Sequence, residues 1–361
     1  MSSNTNTQQR LPSSPAPRRR PGDAVKEFAA SLGSKGYLLV VGAIVLIVGS
    51  AVSPYFFTSR NLVAVLITAS VVSVLAVGQY LVIVTGGIDL SVGAVAALSS
   101  VAVGLTLQQG VPWPIALIVA LLVAGFIGVF NGVMIVYGGV TPFIVTLAMM
   151  SLARGAAYVL QTGRQVPISN QGFLDAFVGD FGPLPAPIVI ALVVTVLAAL
   201  MMAQTRYGRR LYALGGNPEA ARLSGLPVKR DVITAYFLSS LLAGLAGVMI
   251  AAQLTEGSAI IGDGYELNAI AAVVVGGASL FGGTGDPVSA VIGGLIIAVI
   301  LNIMDLLGIQ AQPQLIVKGA VILLAVLFTS GAGSRLPHAI RKLVFQRRYA
   351  ALPATATKEE R

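Results

Sequence analysis

LVAVLITASVVSVLAVGQYLVIVTGGIDLSVGAVAAL, residues 62–98, carries no charged side chain before Asp89. An α-helix needs about 20 apolar residues to cross the hydrocarbon core of a bilayer, so residues 62–84 read as a membrane span. The pattern then breaks at "TGGIDLS" and resumes at residue 91. A carboxylate is costly in such surroundings. The break therefore raises two questions: how many spans the chain has, and what Asp89 does between two of them.

Composition answers the first in kind. Of 361 residues, 56% are hydrophobic and 10% charged, and the mean hydropathy is +0.86. A soluble domain averages about 25% charged residues, so this chain lacks the polar surface for water and reads as an all-α polytopic membrane protein. Its 41 glycines and 18 prolines fit membrane helices, which tolerate both. The absence of cysteine excludes disulfides, zinc–thiolate sites and thiol catalysis. The single histidine, His338, sits in a basic tail. No lysine follows a glycine in a Walker A pattern, which excludes ATP hydrolysis by that route.

Hydropathy gives ten spans: 37–57, 62–84, 91–108, 114–137, 141–160, 186–203, 232–253, 267–281, 287–305 and 314–330. The third, eighth and tenth are short, so some turns are expected inside the membrane. Residues 1–35 are Ser/Pro-rich and basic and read as a disordered arm. The apolar run after them is too long for a signal-peptide core and is expected to remain as a span. A membrane domain of 36–331 follows, then a basic tail of 332–361. The arm, the 204–231 loop and the tail together hold nineteen of the 23 Lys and Arg residues. All three fall on one side of a ten-span chain, which the positive-inside rule places in the cytoplasm, with both termini. The +9 charge is thus a topology signal. Basic residues are not interleaved with aromatics, so no nucleic-acid partner is expected.

The chain also resembles itself. "GIDLSVGAVAAL" (87–98) aligns with "GYELNAIAAV" (264–273) when two residues are skipped, matching Gly87 with Gly264, Asp89 with Glu266 and Ser91 with Asn268. Asn131 and Pro142 have the spacing of Asn302 and Pro313. Spans two to five then correspond to spans seven to ten. An odd number of spans separates the sets, which inverts the second in the membrane, as in many transporters whose pathway lies at the repeat interface.

Two readings of Asp89 follow. In one, Asp89, or Ser91 behind it, caps the third span while Gly86 and Gly87 form a tight turn. In the other, the break lies at membrane depth and lines a polar pathway, where irregular backbone is tolerated. Glu266, ahead of the eighth span, poses the same choice. Asn131, Asn268 and Asn302 are further pathway candidates, with helix-packing hydrogen bonds as the other use.

The sharpest soluble element is "LGGNPEAARLSGLPVKR", 214–230. Asn217 suits an N-cap, Pro218 the first helical position, and Glu219 the first turn. Gly225 provides a left-handed stop and Pro227 prevents continuation. A helix of about two turns is expected, too short to persist undocked; the alternatives are an interfacial helix on lipid headgroups and a docking element.

"EAARLSG" (219–225) resembles the EAA-x-x-x-G coupling segment of ATP-binding-cassette importer permeases. "TGGIDLSVG" (85–93), "ALGGNPEAARLSG" (213–225) and "VVVGGASLFGGTGDP" (273–287) resemble the ribose-type sugar permeases of the carbohydrate-uptake class 2 group, over about residues 37–330. This resemblance implies an importer of the bacterial inner membrane. It would have two permease subunits, expected as a homodimer, an ATPase subunit with two cassettes, and an extracytoplasmic binding protein delivering a monosaccharide. Gly215, Gly216, Asn217, Pro218, Glu219, Ala220, Ala221, Arg222 and Gly225 would form the ATPase-coupling helix. ATP and Mg would be bound by the partner chain, leaving none of this chain's residues with a cofactor or a catalytic role.

An ion-coupled secondary transporter would also have inverted repeats and would use carboxylates at membrane depth, for which Asp89, Glu266 and Asp305 are available. It would have no use for a coupling segment. A membrane-embedded enzyme is disfavoured by the lack of HExxH and GxSxG motifs.

Overall fold

The computed structural model describes residues 36–329. The arm, 1–35, and the tail, 332–361, lie outside the described residues. In chain order come α1 (Gly36–Val52), α2 (Ser59–Ile83), α3 (Val92–Gln108), α4 (Trp113–Val136), α5 (Pro142–Gln161), β1 (Val166–Pro167) and α6 (Gln171–Val178). Then follow β2 (Asp180–Phe181), β3 (Leu184–Pro185), α7 (Ala186–Gln204), α8 (Arg206–Gly216), α9 (Pro218–Leu223) and α10 (Val228–Leu254). Last come β4 (Glu256–Gly257), α11 (Tyr265–Val275), α12 (Pro287–Leu306) and α13 (Ala311–Thr329). The fold is all-α and polytopic. Among the described residues, α2, α4, α5, α7, α10 and α12 are long and apolar enough to cross a membrane, and α1, α3, α11 and residues 312–324 of α13 are shorter apolar helices. The strands only join loops: β1 pairs antiparallel with β4, and β2 with β3.

Local chemistry sets the helix ends. Thr58 and Asp286 accept hydrogen bonds from first-turn amides of α2 and α12. Proline occupies the first turn of α4, α5, α7 and α12, where a missing N–H costs nothing. Two ends differ from the hydropathy reading. The eighth apolar helix stops at Val275, not 281, because the Gly276–Gly277 pair turns the chain, with Gly277 at φ +87°. The seventh begins at Val228, not 232: its polar first turn is helical because Arg210 of α8 grips Asp231 with two hydrogen bonds of 2.7 and 2.8 Å. Hydropathy sees only the apolar part of such a helix.

Between membrane helices the hydrophobic effect gives no drive, and close packing of small residues takes its place. On α4, a Cβ at Gly128 would lie 2.5 Å from Tyr236 O, and one at Gly132 2.7 Å from the Cα of Ile233, so α4 and α10 meet backbone to backbone. α10 packs along α3 and α4, while α2 packs along α11 and α12. α3 also packs on α4 and α5, and α11 on α12 and α13. Exchanging α2 with α10, α3 with α11, α4 with α12 and α5 with α13 turns each of these contacts into another of the set.

Candidate functional site

After α2 the chain makes a tight turn, with Gly86 at φ +82°, and runs without helix through Gly87–Ser91 before α3 begins. Gly87 is required by space, since a Cβ there would come within 2.5 Å of the Tyr236 hydroxyl. Asp89 is 0% exposed. Its Oδ1 accepts from Ser91 N (2.9 Å) and Ser91 Oγ (2.6 Å), and its Oδ2 accepts from Ser239 Oγ of α10 (3.2 Å). Asn131 Nδ2 of α4 donates to Ser91 Oγ (3.1 Å), and Thr146 Oγ1 of α5 donates to Ile88 O (3.3 Å). With its amide oriented to satisfy both groups, Gln79 donates to Asp89 O (3.0 Å) and accepts from Asp89 N (3.2 Å). The break thus ties α2, α3, α4, α5 and α10 into one buried network.

This geometry corrects the simplest capping picture. Ser91 stands at the N-cap position of α3 but makes no side-chain capping bond. Its backbone is already helical (φ −82°, ψ −11°), and its hydroxyl is spent on Asp89. The carboxylate in turn holds the N–H of Ser91 itself, an Asx turn leading into the helix, and not an amide of the first helical turn.

The matched residues of the second half are placed differently. Glu266 and Asn268 lie inside the first turn of α11, which starts at Tyr265, whereas Asp89 and Ser91 precede α3. Gly264, at φ +72°, starts α11 early. Glu266 Oε2 and both amide atoms of Asn268, a residue 1% exposed, are buried with no partner among the described residues. The two helix starts nevertheless meet, since a Cβ on Gly93 of α3 would strike Gly262 O and lie 2.5 Å from Glu266 Oε2. Asn302 exchanges two amide hydrogen bonds with Asn61 (2.8 and 3.0 Å), joining α12 to α2. Arg154, recognisable in the sequence as a charge inside a span, fixes the 258–264 segment by donating to Ala259 O and Ile261 O. Gln79, Ser239 and Thr146 gave no signal in the sequence, because single polar residues in apolar helices are common.

The polar connection between α7 and α10 folds into two helices, not one. α8 went unseen, since four of its eleven residues are charged or glycine near its start and its apolar positions are few; its Leu211 and Leu214 are buried. In α9, Asn217 Oδ1 accepts from Ala220 N (3.0 Å), Pro218 opens the helix and Gly225 follows at φ +76°. Glu219 pairs with Arg222 one turn on, at 2.6 Å, and the guanidinium holds its carboxyl below the usual range. Only Ala221 of α9 is buried, while Leu223 is 75% exposed. Gly215 and Gly216 end α8, and Gly215 lies against the α2–α3 turn and the 276–286 loop.

The structure is an α-helical membrane bundle with one broken helix pair held by a buried polar network, and the comparisons make it a permease. The chain belongs to the family described as the permease component of branched-chain amino acid transport systems, whose profile matches residues 61–326. The ribose import permease protein RbsC of Escherichia coli strain K12 is 46% identical over 298 residues, covering 80% of this chain and 90% of that protein. The D-allose transport system permease protein AlsC of the same strain is 36% identical over 300 residues, covering 83% and 92%. The L-arabinose ABC transporter permease protein AraH of Azospirillum brasilense is 36% identical over 275 residues, covering 76% and 81%. No solved structure matches the chain at a significant level.

Proposed function

We propose that this chain is the membrane-spanning permease subunit of an ATP-binding-cassette importer, carrying a monosaccharide of the ribose kind, a pentose or hexose. The observation that carries the reading is α9: capped by Asn217, stopped at Gly225 and presenting Leu223 to solvent, in a chain whose relatives are named as ribose, allose and arabinose permeases. Uphill transport needs an energy source, this chain has no nucleotide motif, and a docked cytoplasmic helix transmits work from a partner. That partner is an ATPase subunit with two cassettes, which binds ATP and Mg. A second copy of the permease completes the pathway, and an extracytoplasmic binding protein delivers the sugar.

The helices α2–α5 and α10–α13 act as inverted halves in the bacterial inner membrane, with both termini cytoplasmic. Their exchange of packing partners supports this reading, as does the meeting of the α3 and α11 starts at Gly93 and Glu266. ATP-driven closure of the cassettes biases the halves between inward- and outward-open states. An ion-coupled carrier fits less well, because it would have no use for α9, the capped helix that leaves Leu223 exposed. The test is reconstitution with the ATPase and binding protein in proteoliposomes. ATP-dependent uptake of one monosaccharide, abolished without the ATPase, is expected; uptake driven by a proton or sodium gradient alone would refute the reading.

A further inference from the structure

Three segments distant in sequence converge at the cytoplasmic end of α8: the α2–α3 turn (84–87), the end of α8 (212–216) and the loop between α11 and α12 (276–286). Their backbones touch directly. Gly283 N donates to Val84 O (2.9 Å). A Cβ on Gly215 would overlap both Val84 O and Gly283 N. A Cβ on Gly282 would lie 2.8 Å from Gly86 N and 3.1 Å from the Cα of Gly215, and one on Gly283 2.8 Å from Gly216 N. Gly86, Gly282 and Gly283 also hold positive φ, so both space and backbone geometry demand glycine here.

One turn earlier on α8, the Tyr212 hydroxyl bonds to the 276–286 loop and to α2, just before the α2–α3 turn. It donates to Gly285 O (3.0 Å) and shares a 2.7 Å hydrogen bond with the hydroxyl of Tyr80, a residue buried in the last turns of α2. α8 is therefore clamped at its end by backbone contact and along its side by a hydroxyl pair. α9 follows it after a single residue, Asn217.

Resting on the permease reading above, we propose that Gly215 and Tyr212 are positioning residues of a transmission joint, through which displacement of α8–α9 by the ATPase moves the Asp89 break and the α11–α12 loop together. Close-packed backbone has no slack to absorb a push, so a shift at Gly215 is passed to Val84 and Gly283. Two residues beyond Gly87, the Asp89 network carries it to α3, α4 and α10. The other branch leads through the loop to α11 and α12. One cytoplasmic helix thereby acts on both halves of the membrane domain, without which the halves would have to be driven separately.

The test compares Tyr212→Phe and Gly215→Ala with wild type in the complete reconstituted complex, reading sugar uptake per ATP hydrolysed together with retention of the ATPase. Tyr212→Phe keeps the ring and removes both hydroxyl bonds. It is expected to leave the ATPase bound and hydrolysing while uptake per ATP falls at least about fivefold, the factor corresponding to one ordinary hydrogen bond. Gly215→Ala is expected to uncouple further. Gly42→Ala on α1, where a Cβ meets nothing within 4 Å, controls for glycine replacement in a helix and should match wild type. An unchanged ratio in Tyr212→Phe would overturn the proposal, as would release of the ATPase by that variant, which would make Tyr212 a docking strut. If Gly215→Ala does not assemble, Tyr212→Phe decides alone. A wild-type complex with no ATP-driven uptake would instead sink the permease reading itself.

Discussion

Asp89 shows how a single buried carboxylate organises a membrane domain. Its two oxygens take three donors, from Ser91 and Ser239, and all of them are internal. Asp89→Asn keeps the shape, and its Oδ1 still accepts from Ser91 N, while the Ser239 hydroxyl turns to accept from the new amide. This variant is expected to retain most uptake in the assembled complex. Asp89→Ala leaves the N–H and hydroxyl of Ser91 and the hydroxyl of Ser239 without partners, at about 1–3 kcal/mol for each buried group, and should lower the melting temperature in detergent. Loss of uptake by a folded, assembled Asp89→Asn complex would show that the charge itself is used. Asn131 depends on the same turn, since Ser91 Oγ is the acceptor for its amide.

The α8–α9 pair belongs to a larger scale, where capping chemistry sets the shape and burial sets the anchor. Leu211, Leu214 and Ala221 hold the pair on the membrane domain, and the Arg210–Asp231 pair locks it to α10. Gly225 closes α9 at φ +76° with open space around it. A Cβ there meets nothing within 4 Å, so the main cost of valine is the backbone strain of a β-branched residue in the left-handed region, about 1–3 kcal/mol. Gly225→Val is expected to insert normally and to weaken ATPase retention by about 5–150-fold, the equivalent of that cost at about 1.4 kcal/mol per decade. Co-purification of the ATPase at graded concentrations measures it. Wild-type retention and uptake would mean that α9 is an interfacial spacer.

For the whole molecule, the charge asymmetry sets the frame. The α8–α9 pair, the α2–α3 turn and the 276–286 loop meet at one place, and β1 joins β4 elsewhere, as expected if the first three are cytoplasmic and the strand pair is external. The chain has no cysteine, so a single cysteine at Gly216 reports cleanly. It should react with an impermeant thiol reagent only after the membrane is opened. Labelling from outside intact cells would invert the topology and remove α9 from the reach of a cytoplasmic ATPase.

The sequence by itself determined the class, because 10% charged residues cannot solvate a globule, and it determined the apolar helices, because hydropathy over about 20 residues is a local property. It also determined α9, whose cap, first-turn proline and glycine stop lie within nine residues. Tertiary structure alone decided the rest. The partners of Asp89 are Ser91 nearby but Ser239 150 residues away, and no local pattern announces such a pair. The equivalence of Asp89 with Glu266 held in the alignment and failed in the backbone, because Gly264 starts α11 four residues too early for it. The joint at Gly215 was invisible for the same reason: in a chain with 41 glycines, only the arrival of Val84 and Gly283 shows which one must have no side chain.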